Sequence, residues 1–510
     1  MRLKRLATVL VASAIALAGC SVSDSQDQGS AGEKHLNVET VYKADTTDPH
    51  TVGNPYFLSS GAFETLTKVS QEGTLKPWLA DSWDSQDMIH WTFALHDGVK
   101  FHNGKAMDAE AVKKSIEHAI QVNPAMAKSL PIESMSADGN TLSVVTTKPL
   151  ATLPSAFAHY NAVITDVDDS GSVPVGTGAF TFTSLDIAQA GELEANPDYW
   201  DGKAKLDTAT LTANEDANTR MMDLQSGQTD VIFRPSLENL DALNSDDIKV
   251  ETVASSRVYE LMYNYANPAS GSLWSNEEFR KGFDALIDRE GINSSILKGN
   301  GEVAVGPFSP SSPAAIDGQA PAFGVDKALE HFKNAGLSVD GDQVTKDGAP
   351  LNFTIATYTA RAELPLIAQA IQDQAKKVGI TLNIVTPDNI DEFLQAEPWD
   401  IATYALNTMT RGDGSYFVSS SYASDGALNY GKYNDAELNT MIDKFNTTID
   451  QDERMKQVKE IGTYLQDHTV NSYIVFPHTS AALKTSVSGW VTPPNEHEYP
   501  LITKDLDIAS

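Results

Sequence analysis

Alternating apolar and polar residues predict several half-buried β-strands along the chain. Leu36–Tyr42, Trp91–Leu95 and Thr141–Val145 broadly alternate in this way, and a period of two is typical of a strand with one buried face. Three more short β-type segments occupy residues 351–356, 381–385 and 473–477. Strands are therefore expected from the beginning to the end of the chain.

Segments whose apolar residues recur with the period of an α-helix lie between many of these strands. Asp108–Ile120 places Val112, Ile116 and Ala119 on one face, and Asp108 is suited to cap the N-terminus. We predict further helices at Asn276–Asp288, Asp326–Ala335, Leu364–Val378, Asp435–Phe445 and Asp452–Asp467. Because helices and strands alternate without a fixed repeat, the pattern favours an α/β protein over a solenoid.

The N-terminus has the layout of a secretory signal. A basic start is followed by the charge-free run Leu6–Ala18, which is shorter than the roughly 20 residues that span a bilayer. Leu17–Cys20 (LAGC) resembles a bacterial lipobox, in which the cysteine receives a diacylglyceryl group. We predict a lipoprotein signal peptide at 1–19, lipidation of Cys20, and a lipidated flexible tether at 20–35. The alternative is an ordinary signal peptide that happens to contain a cysteine.

Composition narrows the classes of function. The 510 residues include 37 Lys or Arg and 69 Asp or Glu, for a net charge of −32, and only one cysteine. A chain of this length exceeds one core, so several domains are expected. The acidic excess repels phosphate backbones and makes nucleic-acid binding a poor prediction. One cysteine excludes a disulfide framework and clusters of thiolate ligands.

Motifs of catalysis are missing from the sequence. No serine lies between glycines at positions −2 and +2, and no Gly-Lys pair continues into Ser or Thr as a phosphate loop does. The eleven histidines form no short pair suited to a metal. We therefore predict no enzyme activity, no cofactor and no metal site. Glu496, His497 and Glu498 are expected to be solvated near the C-terminus.

Six segments of the chain stand out together. They are Leu75–Val112, PVGTGAF at 174–180, NPDYWDGKAKLD at 196–207, DANTRMMDLQSGQTDV at 216–231, EEFRKGFDALIDRE at 277–290 and LPLIAQAIQDQAKKVGITLNI at 364–384. In this order they resemble segments of the bacterial family 5 extracellular solute-binding proteins, which serve dipeptide, oligopeptide and nickel ABC importers. The resemblance covers about residues 36 to 505.

The resemblance implies a two-lobed periplasmic-binding-protein-like fold of type II, in its large three-subdomain form with a hinge. We place the crossover strands near Tyr259–Tyr265 and Tyr473–Thr479. Lobe I would then comprise residues 36–257 plus 482–510, with an inserted subdomain, and lobe II residues 258–481. The implied mechanism is hinge closure on a ligand and delivery to an ABC permease and ATPase complex. A monomer on the extracytoplasmic side, at the cell surface or in the periplasm, is expected.

Two ligand classes follow from the resemblance. Peptide binders of the family place a carboxylate against the ligand's α-ammonium group, but aligning Gly412-Asp413 with the family's Gly-Asp puts Thr410 at that position. Nickel binders use arginines, an aromatic shell and a loop histidine; Arg411 fits, yet residues 411–435 contain no histidine. In lobe I, His159 lies where an arginine is expected, and is either a ligand or a structural residue.

We predict a short peptide as the ligand, with nickel or another metal as an organic chelate as the alternative. A secreted hydrolase and an adhesion or signalling lipoprotein are the candidates from other classes. For each aromatic residue, core packing is the competing interpretation, and Asp413 could order its loop instead. The predicted ligand-binding residues are Tyr56, Tyr160, Asn407, Thr410, Arg411, Asp413 and Tyr416, with Trp399 and Arg361 in reserve.

Overall fold

The computed structural model describes residues 33–243 and 245–509. The predicted signal peptide, the lipidated Cys20 and most of the predicted tether lie outside these residues. The first strand begins at His35, one residue before the predicted start of lobe I. Within the described ranges, no helix combines the length and apolar character needed to cross a membrane.

Strands are distributed along the whole described chain. In chain order they are β1 His35–Thr40, β2 Thr67–Val69, β3 Leu75–Pro77, β4 Ala80–Ser85, β5 His90–Leu95, β6 Ile132–Asp138, β7 Thr141–Thr146, β8 Phe180–Asp186, β9 Ala190–Ala195, β10 Thr208–Ala213, β11 Val231–Phe233, β12 Ile248–Ala254, β13 Arg257–Tyr263, β14 Gly301–Val303, β15 Ser338–Asp340, β16 Gln343–Lys346, β17 Ala349–Pro350, β18 Asn352–Ala356, β19 Thr381–Val385, β20 Ile401–Asn407, β21 Ser472–Lys484, β22 Val487–Ser488 and β23 Asp507–Ile508.

Helices alternate with these strands, most densely in the second half of the chain. They are α1 Tyr56–Ser59, α2 Ala109–Val122, α3 Pro124–Ser129, α4 Leu153–Ala156, α5 Ala217–Ser226, α6 Gly271–Trp274, α7 Glu277–Asp284, α8 Arg289–Ser295, α9 Val325–Asn334, α10 Glu363–Lys377, α11 Ile390–Ala396, α12 Ser415–Tyr422, α13 Ala436–Asn446 and α14 Gln451–Asp467.

Most of the predicted elements are confirmed, with one correction. Asp108 caps α2 by accepting a hydrogen bond from the Ala111 N–H at 2.9 Å. The helix predicted at Asn276–Asp288, however, is divided between α7 and α8. The division occurs because Asp288 starts a new helix, its side chain accepting a hydrogen bond from the Gly291 N–H at 2.9 Å.

One long strand connects the two halves of the main sheet. The first half has the order β11-β1-β10-β9-β8 and the second the order β19-β18-β20-β13, and β21 pairs with both β13 and β11. A second passage between the halves occurs where β12 ends at Ala254 and β13 begins at Arg257. The sheet contains parallel and antiparallel pairs, and the α/β class predicted from the sequence is confirmed.

Separate hydrophobic cores lie on the two sides of this connection. The lobe I side has one core beneath β1, β8 and β10 and a second core in a subdomain built from β4-β5-β7-β6 and α2. The lobe II side is filled by an aromatic cluster that includes Trp274, Phe279 and Phe353. Hydrogen bonds also connect the two sides directly, among them Ser155 Oγ to Asp413 Oδ2 at 3.0 Å. The two sides are therefore joined by β21 and by direct side-chain contacts.

Glu260 is a buried acid in the middle of β13. Its Oε2 accepts a hydrogen bond from Asn471 Nδ2 at 3.1 Å, whereas its Oε1 has no hydrogen-bond partner among the described residues. Burial disfavours the charged carboxylate and raises the pKa of Glu260 to about 7. Because an unfolded glutamate has a pKa near 4.3, the folded protein retains a proton that the unfolded chain releases first.

Glu260 should make the free energy of unfolding depend on pH. The stabilisation is fully present below about pH 4 and is lost as the pH rises to about 7, by up to about 3 kcal/mol. Glu260→Gln should remove this part of the pH dependence, so the difference between variant and wild type should grow over that range. Urea denaturation at a series of pH values measures it. Glu397→Gln, on the surface, is the control, and parallel curves for Glu260→Gln and wild type would contradict the prediction.

Candidate ligand-binding cleft

A cavity of about 380 Å³ lies between the two lobes. Its wall includes Arg234 at the end of β11, Arg257 at the start of β13, and Arg361 in the loop before α10. Residues 477–480 of β21 and Glu496 also line the cavity. This volume is within the roughly 300–1,000 Å³ typical of small-molecule sites.

The three arginines converge on the carboxylate of Glu496. Arg257 Nη2 lies 3.1 Å from Glu496 Oε2, Arg361 Nη2 lies 3.0 Å from Oε1, and Arg234 Nη1 lies 4.0 Å from Oε1. Arg234 has a φ of 57° and directly follows the fully buried strand Val231–Phe233. We call Arg234, Arg257, Arg361 and Glu496 the arginine cluster.

Charge pairing determines the protonation of the arginine cluster. Burial alone would raise the pKa of Glu496, but Arg257, Arg234 and Arg361 hold it well below the usual range. Burial likewise opposes the charge of Arg361, whereas Glu496 and nearby tyrosines raise its pKa. Since the arginine side chain is always charged in proteins, the cluster carries three positive charges against the one negative charge of Glu496.

A fourth arginine, Arg220, is bonded to the backbone of the arginine cluster at Arg234. The buried Arg220 donates to the backbone oxygens of Asn214 at 2.5 Å and Arg234 at 2.6 Å, and burial together with Arg234 lowers its pKa to about 10. Arg220 also lines the cavity, together with Glu215 and Glu363. Four arginines against three glutamates give the cavity a positive excess, although the whole chain has a net charge of −32.

A second basic site lies around Arg411. The backbone N–H of Arg411 donates to Glu498 Oε1 at 3.4 Å, and its guanidinium carbon lies 5.9 Å from the centre of the Tyr416 ring. Arg411 Nε is buried and has no hydrogen-bond partner among the described residues. Burial lowers the pKa of Arg411 and raises that of Glu498 to about 7, the latter opposed by Arg411. This arginine therefore retains donors for a further anion.

Two histidines lie on either side of Tyr160 next to Arg411. The ring centres of His159 and Tyr160 are 4.2 Å apart and those of Tyr160 and His497 are 6.0 Å apart. Burial lowers the pKa of both histidines, so both imidazoles are neutral at pH 7. The single lone pair of the His159 ring accepts the Asn161 N–H. The expectation that Glu496 and Glu498 are solvated is wrong, because they are only 9% and 4% exposed.

The structure brings several predicted site residues together. Tyr160, Arg411 and Tyr416 share the second basic site, and Arg361 belongs to the arginine cluster. Asn407 lies at the end of β20, where its Oδ1 accepts from Ser256 Oγ at 2.6 Å. Thr410 donates its hydroxyl to the Asn407 backbone oxygen at 3.3 Å.

Three other predicted residues are placed away from the cleft. Tyr56 is 1% exposed in the core of lobe I and donates its hydroxyl to the Leu211 backbone oxygen at 3.0 Å. Trp399 is buried in lobe II with its Nε1 bonded to the Leu394 backbone oxygen. Asp413 is buried and pairs with Arg454 Nη2 at 2.8 Å. These contacts assign Tyr56 and Trp399 to core packing and Asp413 to ordering its loop.

Sequence analysis missed Arg234, Arg257, Glu496 and His497. Glu496 and His497 belong to a C-terminal segment without any motif, and nothing local indicates that this segment enters the cleft. Arg234 had a usable signal, since it follows a short apolar strand and precedes Pro235. An arginine at the end of a buried strand is a candidate for a site at the sheet edge.

The chain is similar to known proteins along most of its length. The model for "Bacterial extracellular solute-binding proteins, family 5 Middle" matches residues 74–429. The chain is 31% identical to the nickel-binding protein NikA of Staphylococcus aureus over 499 residues, 97% of each chain. It is 26% identical to the oligopeptide-binding protein AppA of Bacillus subtilis over 532 residues, 96% of each.

Two solved structures share the fold along the whole of their chains. A nickel ABC transporter structure from Bacillus halodurans has 38% identity and a TM-score of 0.87, covering 93% of this chain and 100% of that one. NikA of S. aureus in complex with Ni(L-His)2 has 30% identity and a TM-score of 0.71, with the same coverage.

Fold and cleft define a two-lobed α/β binding protein. The chain belongs to the bacterial extracellular solute-binding proteins of family 5. Members of this family are the substrate-binding proteins of ABC importers, which bind a solute outside the cytoplasm and are not enzymes.

The pairing of Asp413 with Arg454 should matter for stability. Both side chains are almost fully buried, at 2% and 1% exposed. Asp413→Ala leaves a buried guanidinium without its carboxylate, and should cost about 3–5 kcal/mol of unfolding free energy. Urea denaturation measures the loss, with Asp425→Ala on the surface of the same lobe as the control. A cost below about 1 kcal/mol would contradict the assignment of Asp413 to ordering its loop.

Proposed function

We propose that this protein binds a metal, nickel foremost, as a chelate with a carboxylate-bearing organic molecule and delivers it to an ABC importer. The sequence favoured a short peptide and kept the chelate as the alternative. The arginine cluster in the cleft is the observation that now favours the chelate over the peptide. It offers a ligand positive charge, whereas the α-ammonium group of a peptide requires negative charge.

Two of the predicted or observed acids of this region already have cationic partners. Glu496 has three arginines and Asp413 has Arg454. Thr410, at the position where the family's peptide binders carry an acid, is neutral. At Glu496 and Asp413, a peptide ammonium group would therefore compete with arginines for its counter-charge.

The arginines, by contrast, have hydrogen-bond donors to spare. A guanidinium has five N–H donors, and the side chains of Arg234 and Arg361 remain 34% and 24% exposed. Their planar forks suit bidentate pairing with carboxylates. A chelating molecule with two or more carboxylates would engage several of these donors at once.

The position of these arginines also explains how a ligand would favour the closed form. Arg234 follows a lobe I strand, and Arg361 precedes α10 in lobe II. A ligand that contacts both makes more interactions when the lobes are together. That difference in affinity between open and closed states is the requirement for ligand-driven closure.

Two further facts support a compact chelate. The cavity of about 380 Å³ suits a small ligand better than a long peptide. The S. aureus relative, 30% identical to this chain, was solved with Ni(L-His)2. The neutral imidazole of His497 is a candidate nitrogen ligand for the metal.

Binding of Ni(II) premixed with two equivalents of L-histidine should be measurable by isothermal titration calorimetry. Arg361→Ala should weaken it roughly tenfold to a hundredfold, because a ligand carboxylate loses a charged hydrogen bond. Lys333→Ala, which removes an exposed cation of lobe II, should leave the affinity unchanged. Binding of di- to pentapeptides with no response to the chelate would contradict the proposal, as would an unchanged affinity of Arg361→Ala.

We also propose that Cys20 anchors the protein to the membrane by a lipid. Its support is the LAGC sequence after a basic start and an apolar run, since two acyl chains on one cysteine are sufficient for stable anchoring. Cys20→Ser should move the protein from the membrane fraction to the soluble or secreted fraction of the host. A variant that fractionates with membranes as the wild type does would contradict the anchor.

A further inference from the structure

Asp48, His50 and His118 form a cluster outside the ligand cavity. Asp48 and His50 lie in the loop between β1 and α1, and His118 lies on α2 of the inserted subdomain. One potential ligand atom from each residue falls within 4.8 Å of the others. Two imidazoles and one carboxylate are a set of donors that suits zinc, nickel, cobalt and copper ions.

The orientation of His50 is the first observation that points to a metal. Its Nε2 lies 2.9 Å from the backbone oxygen of Val163, and a carbonyl can only accept, so Nε2 carries the hydrogen. Nδ1 therefore has a free lone pair. A ring N–H held by a backbone carbonyl, with the opposite nitrogen directed at the site, is the arrangement found in metal-binding histidines.

The second observation is that this lone pair is buried and unused. The His50 side chain is 0% exposed, and Nδ1 has no hydrogen-bond partner among the described residues. Its nearest carboxylate oxygen is Asp48 Oδ1, at 3.8 Å. A buried polar atom without a partner costs free energy, and a cation at the cluster would remove that cost.

The other two residues complete a compact set. His118 Nε2 lies 2.7 Å from Asp48 Oδ2, and the two imidazole centres are 5.4 Å apart. Ligand atoms about 2.0–2.1 Å from a tetrahedral metal are about 3.3 Å from one another. Shifts of about an ångström would bring the three ligand atoms to that spacing, and both Asp48 and His118 are partly exposed and able to move.

The surrounding hydrogen bonds hold this loop in place. Asn123 Nδ2 donates to the His50 backbone oxygen at 2.7 Å, and Asn161 Nδ2 donates to the backbone oxygens of Pro49 and Val52. The main chain around the cluster is thus fixed before any ion binds. Preorganisation of this kind favours metal affinity.

We propose that Asp48, His50 and His118 bind a divalent transition metal, with a coordination position open to solvent. This site is separate from the cargo in the cleft and does not depend on the nature of that cargo. Sequence analysis predicted no metal because the two histidines are far apart in the chain. The fold alone brings them together.

A metal bound at Asp48, His50 and His118 would also hold one wall of the cleft in place. The loop that carries Asp48 and His50 continues to Gly53, whose backbone oxygen accepts the Tyr160 hydroxyl at 3.3 Å. Tyr160 is in turn stacked between His159 and His497. A metal that joins the loop to α2 would limit the movement of this aromatic wall.

Calorimetric titration of the purified protein with Zn(II) in a buffer without chelators tests the proposal. The wild type should show one saturable site, and His118→Gln should lose at least about a hundredfold in affinity, beyond the effect of losing an indirect contact. Gln can still donate a hydrogen bond to Asp48 but offers no imidazole nitrogen. It therefore separates a structural role of His118 from ligation.

The matched control is His90→Ala. His90 and Asp87 form an exposed pair at 2.8 Å, and no third potential ligand joins them within residues 33–243 and 245–509. This variant should therefore bind zinc as the wild type does. Arg361→Ala should also keep its zinc affinity, which distinguishes this site from the cleft. Cobalt(II) should give visible absorption bands of a low-symmetry site in the wild type and not in His118→Gln.

Thermal unfolding provides a second readout. Excess Zn(II) should raise the Tm of the wild type and of His90→Ala, because a metal that binds only the folded state stabilises it, and should leave the Tm of Asp48→Asn unchanged. Absence of saturable zinc binding by the wild type would overturn the proposal. Equal zinc affinity in wild type and His118→Gln would do the same.

Discussion

A single buried carboxylate, that of Glu496, connects parts of this protein that are far apart in the sequence. Taken out of water it needs positive partners, and it finds them in Arg234, Arg257 and Arg361. These arginines follow β11, begin β13 and precede α10. One negative charge thus interacts with lobe I, with the passage between the lobes and with lobe II.

The same charge pairing gives the cavity its positive surface. Three guanidinium groups share one internal carboxylate, so a positive excess remains in the cavity of a strongly acidic protein. Donors fixed in this way would need little reorganisation to bind the carboxylate-bearing ligand that we propose. The segment around Glu496 continues through His497 and Glu498 to Arg411, which extends the basic surface along the cleft.

The buried histidines His50 and His159 each have one ring nitrogen held by a hydrogen bond to the backbone. His50 gives one N–H to a backbone carbonyl and keeps a buried lone pair. His159 accepts the N–H of Asn161 at its Nδ1, at 3.1 Å, and burial lowers its pKa. Through Tyr160, the loop of His50 and the wall of the cleft are in contact.

The sequence by itself determined the α/β class, the capped helix α2 and the family, because periodicity, capping and ordered motifs are local properties of the chain. It also located the loop around Arg411. Only the tertiary structure decided that Tyr56 is a core residue, that Asp413 pairs with Arg454, and that a C-terminal glutamate binds three arginines. Partners distant in sequence leave no local pattern, and burial and charge pairing exist only once the lobes are assembled.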